Sequence, residues 1–361
     1  MTLTILSIAY PFAPAGPDAA GGSEQILAAL DAALTRAGHR SIVLACEGST
    51  AAGTLLAMPA LADLDDPAQR EAAQARYREA IAAALRRWPI DLIHMHSLDF
   101  AAYLPPPGVP TLVTLHLPPD WYSAEALHPR RPDTFLNCVS RSQRRACPPD
   151  VRIMAVVPNG VPVDRLAARH AKRGFALALG RICPEKGLHI ALDAAKRADM
   201  PLLLAGALFP YEAHRRYFRE AIAPRLDARR RFVGMLDFAR KRRLLAAARC
   251  LLVPSLVAET SSLVAMEALA CGTPVIAFPS GALPEVVEHG RTGFIVDDEA
   301  GMAAALARIG EIDPSVCRAE ARRRFSADRM TADYLGLYRR ILAGDAAHAA
   351  PDAAAREIAA P

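Results

Sequence analysis

The chain has 361 residues, 52% of them hydrophobic, and a formal net charge of +5. That length accommodates two domains of ordinary size, and the apolar content is that of a globular protein with a sizeable core. The modest charge permits an anionic ligand but does not by itself argue for nucleic acid.

Leu3–Ala9 reads as a strand, followed by a Pro/Gly loop. Glu24–Ala37 has helical periodicity and ends at Gly38. Ser41–Ala45 is a strand and Gln69–Arg87 a long amphipathic helix. Asp91–His96 and Thr111–His116 are strands that each end in histidine, and Phe135–Ser140 is a shorter one. Strands alternating with helices imply parallel pairing in an α/β sheet. Val156–Pro162 is then a break rich in turn formers, followed by the polar stretch Asp164–Gly174, and the linker is expected there.

The pattern restarts with a strand at Phe175–Leu179, a helix at Gly187–Lys196 and a strand at Pro201–Ala205. Tyr211–Ile222 is helical, Arg231–Val233 a short strand and Arg240–Ala248 helical. Cys250–Pro254 is a strand, Ser262–Ala270 a helix and Pro274–Phe278 a strand. Phe294–Val296 and a helix near Met302–Ile309 follow. Asp328–Ile341 has helical spacing and is expected to pack back across both domains, while the Ala/Pro/Asp tail has no sustained period. The expected division is a first domain over 1–163, a second over 164–327, a crossing helix over 328–343 and a disordered tail over 344–361. The fold class is thus α/β, with two Rossmann-like, doubly wound domains facing each other across a cleft at the carboxyl ends of their strands.

The N-terminal MTLTILSIAYPF has no basic leader and is cut short by Tyr10-Pro11, so no signal peptide is expected. No stretch reaches the ~18 apolar residues of a membrane span. The seven cysteines (46, 138, 147, 183, 250, 271 and 317) are scattered and form no C-x-x-C pair. They read as reduced thiols, not as a disulfide framework or zinc site. A cytoplasmic protein is expected.

Glu259 and Glu267 stand eight positions apart around a helix start, in ETSSLVAMEALACGTPVI. At ~1.5 Å per residue they are roughly 12 Å apart. Two-carboxylate glycoside hydrolysis wants about 5–9.5 Å, so the separation better suits two ends of an elongated ligand. Thr260, Ser261 and Ser262 lie at the start of the helix that continues with Leu263, where backbone N–H groups and the dipole favour an anion. A nucleotide-sugar fits: its diphosphate at the helix start, its hexose at Glu259 and its ribose at Glu267. Against this stands a plain capping and surface role, but Glu267 is flanked by Ala265, Met266, Ala268 and Leu269, and a charge in so apolar a segment needs a partner.

GRICPEKG, Gly180 to Gly187, follows the first strand of the second domain, and Arg181 and Lys186 would bring two cations to a diphosphate. In the first domain, Gly21-Gly22 allows backbone to approach a phosphate or sugar but lacks the G-x-G-x-x-G spacing of a dehydrogenase. His116 ends its strand at the cleft side. His94 and His96 read as facing apart and have no acidic partner set, which counts against a metal.

Together these segments resemble glycosyltransferase family 4, retaining enzymes of the GT-B fold. The resemblance runs from Leu3 to about Arg340 and rests on IAYPFAPAGPDAAGGSEQIL, DLIHMHS, VTLHLPPDWY, VPNGV, GRICPEKG, VPS, the paired-glutamate segment and GALPEVVEHGRTGFIVDD. It implies that Arg181 and Lys186 bind the donor diphosphate, Glu259 the hexose and Glu267 the ribose. It places Gly22 near the phosphates or acceptor and His116 near the transferred sugar, with no metal or other cofactor. It also implies front-face transfer with retention, the departing phosphate taking the acceptor's proton. Many members carry E-x-F-G at the first glutamate. Here Glu259-Thr260-Ser261-Ser262 replaces the aromatic and the glycine with hydroxyl residues. Two other readings share parts of this pattern: a GT-B nucleotide-sugar epimerase, and an inactive nucleotide-sugar or glycan-binding module.

Arg225–Arg243 holds eight Lys/Arg and two acidic residues and carries no recognition motif, so it reads as solvated surface, not a nucleic-acid site. A weaker reading takes Arg240, Lys241, Arg242 and Arg243 as a peripheral contact with anionic membrane. The acceptor is not legible.

Overall fold

The structure, a computed structural model, describes residues 2–19, 21–60, 66–167 and 170–345. The expected tail lies, from residue 346 on, outside the described residues.

The first sheet has seven parallel strands: β1 (Thr4–Ile8), β2 (Arg40–Cys46), β3 (Thr54–Met58), β4 (Leu92–Met95), β5 (Thr111–Leu115), β6 (Thr134–Cys138) and β7 (Ile153–Val156). Their order is β3-β2-β1-β4-β5-β6-β7. The second has six: β8 (Ala176–Leu179), β9 (Leu202–Ala205), β10 (Arg230–Phe232), β11 (Cys250–Val253), β12 (Val275–Ala277) and β13 (Gly293–Ile295), in the order β10-β9-β8-β11-β12-β13. Central strands such as ALAL and CLLV are unbroken apolar runs because helices cover both faces of a parallel sheet.

In both sheets the strand order reverses once, between β1 and β4 and between β8 and β11. A crevice opens at the carboxyl ends of such strands. The segments that leave those four strands are the Pro/Gly loop with Gly21-Gly22, the segment from His96, the Gly180–Gly187 turn and the segment that carries Glu259. Topology alone therefore gathers motifs scattered over the sequence.

Two strands and several helices, the longest of them Pro314–Phe325, have no counterpart in the sequence reading. β3 is an edge strand that buries none of its residues fully, so it carries no alternation to read. β7 is the other edge, so Val156, expected in the linker, belongs to the first sheet. The helix Pro314–Phe325 is rich in arginine, with few apolar residues to set a period. Val161 and Val163 already pack in the second core, ahead of the boundary expected at 163/164. Tyr211–Ile222 is not one regular helix: Glu212–Tyr217 is α-helical and Phe218–Ile222 is a π turn.

The last helix, Ala327–Leu342, follows Pro314–Phe325 and returns to the first domain. Met330, Tyr334, Leu337, Tyr338 and Ile341 bury against Leu3, Ile5, Ile26, Leu30 and Leu34. The two domains also touch directly. The Glu285 carboxylate accepts from the Arg141 and Ser142 backbone N–H groups, at 3.0 and 2.5 Å, at the start of the helix Arg141–Ala146. An anion there is favoured by the free N–H groups and the helix dipole.

Candidate functional site

Lys186 and Glu259, read separately in the sequence, meet. Lys186 Nζ donates to Glu259 Oε1 at 2.5 Å, and Ser255 Oγ donates to the same oxygen at 2.8 Å. Both bonds fall on Oε1, which leaves Oε2 with its lone pairs for another donor. The turn that carries Lys186 is held close to the β11 loop at Gly187, whose φ is +59°. A Cβ there would overlap the Pro254 carbonyl oxygen, so both the conformation and the close approach require glycine.

Arg181 is exposed. Its charge opposes the upward shift of the Glu24 carboxyl, which burial raises above its ordinary value. Glu24 is a first-domain residue that the sequence reading missed. It is buried, accepts from Ser23 Oγ at 2.9 Å and fills the space over Gly21, where a Cβ would overlap its carboxylate. Gly22 begins the helix Gly22–Arg36 and faces Leu263 of the second domain: a Cβ on it would lie 3.3 Å from Leu263 Cδ1. Leu263 is thus an interdomain contact.

Glu267 is buried at 3% exposure, and its partner is Lys241, whose Nζ lies 2.5 Å from Oε1. Burial raises the Glu267 pKa while Lys241 opposes the rise. Within the stretch read as solvated surface, Arg240 and Arg243 are exposed, but Lys241 and Arg242 are half-buried. Lys241 is committed to Glu267, and Arg242 Nη1 donates to the Arg165 carbonyl at 3.1 Å. A cavity of about 540 Å³ between the domains reaches Glu267, Leu263, Phe238 and Arg165 on one side and Gln25 and Ala29 on the other.

Thr260 Oγ1 donates to the His116 carbonyl at 2.7 Å, bringing the glutamate segment onto the first-domain histidine. Ser261 Oγ is buried without a partner. Ser262 precedes the helix Leu263–Ala270 and does not cap it through its side chain, so the helix starts one residue later than expected.

The histidines form two linked groups, and here the expectation that His94 and His96 face apart is overturned. Residues two apart on a strand share a face, and the two ring centroids are 4.0 Å apart. His94 Nδ1 lies 2.7 Å from Tyr338 Oη, and Nε2 lies 2.7 Å from Thr114 Oγ1. Thr114 has one hydroxyl proton, which goes to Asn137 Oδ1 at 2.8 Å. His94 therefore donates from Nε2 to Thr114 and accepts the Tyr338 proton at Nδ1. Tyr334 completes the network with Thr114 at 3.1 Å and Asn137 at 3.3 Å.

His96 Nδ1 is 3.0 Å from His116 Nε2, and His96 Nε2 is buried with no partner. Burial holds His94 and His96 well below the ordinary histidine pKa and lowers His116 to about 3. All three rings are neutral near pH 7. The assignment that leaves no buried N–H unpaired has His96 donate from Nδ1, so that His116 carries its proton on Nδ1. Tyr122 Oη fixes the His116 backbone by accepting from its N–H at 3.0 Å.

The structure thus brings together Lys186 and Glu259, joins Thr260 to His116 and sets Gly22 on Leu263. Glu267 stands apart with Lys241. Sequence reasoning missed Glu24, His96 as a partner of His116, Ser255, Lys241 and the two tyrosines. The only signal for Lys241 was that Glu267 needed a cation. No described helix is long and apolar enough to cross a membrane. Among the described residues one group of metal-ligating types, Cys183, Glu185 and His214, comes within 4.8 Å.

Two family models divide the chain as its two sheets do: Glycosyltransferase Family 4 over residues 20–165 and Glycosyl transferases group 1 over residues 174–311. A glycogen synthase of Mycobacterium tuberculosis is 29% identical over 281 residues, covering 69% of this chain and 66% of that protein. The chain thus matches just under two thirds of that relative's length. A phosphatidyl-myo-inositol mannosyltransferase of Mycolicibacterium smegmatis is 34% identical over 171 residues, 44% of this chain and 43% of that protein. The crystal structure of AviGT4, a glycosyltransferase involved in avilamycin A biosynthesis, superposes with a TM-score of 0.72 at 26% identity, covering 95% of this chain and 98% of that one.

Proposed function

The chain belongs to glycosyltransferase family 4 with the GT-B fold, and we propose that it moves a hexose from a nucleoside-diphosphate sugar to an acceptor with retention of anomeric configuration. The observation that carries this reading is the Lys186–Glu259 pair at the crevice of the second sheet, joined through Thr260 to the His116 carbonyl of the first. Lys186 and Arg181 bind the diphosphate. Glu259, pinned through Oε1 by Lys186 and Ser255, receives hexose hydroxyls at Oε2. Glu267 accepts from the ribose hydroxyls while Lys241, paired with it, opposes the rise that burial imposes on its pKa.

Charge develops on the departing diphosphate as the anomeric C–O bond breaks. Lys186, held beforehand by Glu259, and the nearby Arg181 stabilise that charge. A diphosphate oxygen takes the acceptor's hydroxyl proton, and the acceptor oxygen bonds to the anomeric carbon on the same face. His116, neutral and held by His96, donates a hydrogen bond to the sugar without adding charge. This chemistry asks for no metal.

The test is release of nucleoside diphosphate from UDP-, GDP- and ADP-hexoses in the presence of a panel of sugar acceptors, with the product's anomeric configuration read by proton NMR. Acceptor-dependent release with a retained anomer supports the reading. An inverted product would overturn retention. Isomerised sugar without transfer would point to an epimerase, and binding without turnover to an inactive module.

A further inference from the structure

Beside the Gly180–Gly187 turn the fold assembles a donor set that the transfer chemistry does not use. Cys183 and Glu185 come from the turn itself, and His214 comes from the helix Glu212–Tyr217, which follows β9. The thiol sulfur, a carboxylate oxygen and an imidazole nitrogen lie within 4.8 Å of one another. Cys183 is buried at 2% exposure, whereas Glu185 is exposed. His214 Nδ1 is buried and has no hydrogen-bond partner. Its ring is held between Phe209, stacked at 6.3 Å, and Tyr211, edge-on at 5.2 Å. A buried nitrogen with nothing to bond is costly. The same imidazole supplies the third ligand atom of the group.

We propose that Cys183, Glu185 and His214 form a binding site for a thiophilic divalent cation of the Zn²⁺ kind, tying the Gly180–Gly187 turn to the helix Glu212–Tyr217. The ligand chemistry selects the class: thiolate and imidazole favour Zn²⁺ or Co²⁺, whereas Mg²⁺ and Ca²⁺ take oxygen ligands. Metal–ligand bonds of ~2.0–2.3 Å put tetrahedral ligands roughly 3.3–3.8 Å apart. The three ligand atoms, within 4.8 Å of one another, draw together on binding. Three protein ligands leave a fourth position for water.

Binding replaces the thiol proton with the metal and releases that proton to solvent. Burial and the neighbouring Glu185 push the Cys183 thiol up to about 11, so below that pH the metal competes with a proton and binding strengthens as pH rises. With the metal bound, one thiolate and one carboxylate cancel the dication, so the site between Arg181 and Lys186 passes from the single negative charge of Glu185 to neutral. The site therefore stiffens the turn without repelling an anionic ligand. It stands independently of the transferase reading, because its readout needs no nucleotide.

Titrating Co²⁺ into the reduced full chain tests it. The expected result is saturation at one equivalent, with a near-ultraviolet thiolate-to-cobalt absorption that Zn²⁺ displaces. Cys183→Ser should abolish that band. His214→Phe, which keeps the aromatic packing, and Glu185→Gln, which leaves the core untouched, should each weaken binding by more than about tenfold. Cys138→Ser should leave the band unchanged and is the needed control, because Cys138 and Cys147 bring two sulfurs within 3.8 Å of each other. Absence of the band in the unaltered chain, its survival in Cys183→Ser, or its loss in Cys138→Ser would each overturn the proposal.

Discussion

Replacing Lys241 with Met removes the cation that holds Glu267 and leaves the carboxylate in an apolar site. The Glu267 side chain is 4% exposed and that of Lys241 15%, so water screens the pair little. Breaking a buried pair from one side costs about 3–5 kcal/mol. The cost also has a pH signature. Glu267 already has a raised pKa, and losing Lys241 raises it further. A carboxyl that holds its proton more tightly folded than unfolded loses stability as pH rises through its unfolded value of about 4.3. The gap between wild type and Lys241→Met should therefore be small at pH 4. It should widen by up to ~1.4 kcal/mol per pH unit only above the pH at which the wild-type carboxyl ionises, until the variant's carboxyl ionises too. Urea unfolding at pH 4, 5.5 and 7.5 reads the gap directly. Lys241→Met with Glu267→Leu should recover most of the loss, because the uncompensated charge is gone. A gap below about 1 kcal/mol at pH 7.5, or one that does not change with pH, would mean the pair behaves as an exposed one and refute the reasoning.

Three other perturbations discriminate. Lys186→Met should slow nucleoside-diphosphate release by about 10²–10³-fold, measured at saturating donor; an unchanged rate would remove Lys186 from leaving-group stabilisation. His96→Phe keeps the ring volume but removes the donor to His116. It should lower the transfer rate and shift the His116 nitrogen resonances to the other tautomer, whereas unchanged resonances would refute the tautomer assignment. The depressed histidines should make the fold acid-sensitive: the unfolded chain takes up protons below about pH 6.5 that the folded chain refuses, so His116 alone costs about 2 kcal/mol between pH 7 and 5. His94→Gln should flatten that slope in a denaturant series.

Much of the architecture is legible because parallel strands buried on both faces are written as apolar runs between turn formers. β1, β4, β5, β8 and β11 were all visible in that way. The edges were not, since β3 buries no residue fully and β7 runs straight into the linker. The site divides along the same line. Glu259 and Lys186 announce themselves as charges at strand ends, but their contact joins residues 73 apart and depends on the strand order β8-β11. The Lys241–Glu267 pair and the Tyr338–His94 bond, across 26 and 244 residues, have no local pattern at all. The facing of His94 and His96 was legible and misjudged, because side chains two apart on a strand lie together.

The most direct measurement is calorimetric titration of the full chain with UDP, GDP and ADP, repeated on Lys186→Ala. One preferred nucleoside diphosphate, weakened at least tenfold by the substitution, is the result predicted for a donor site built on Lys186 and Glu259. A folded chain that binds none of the three, or binds one equally well without Lys186, would contradict it.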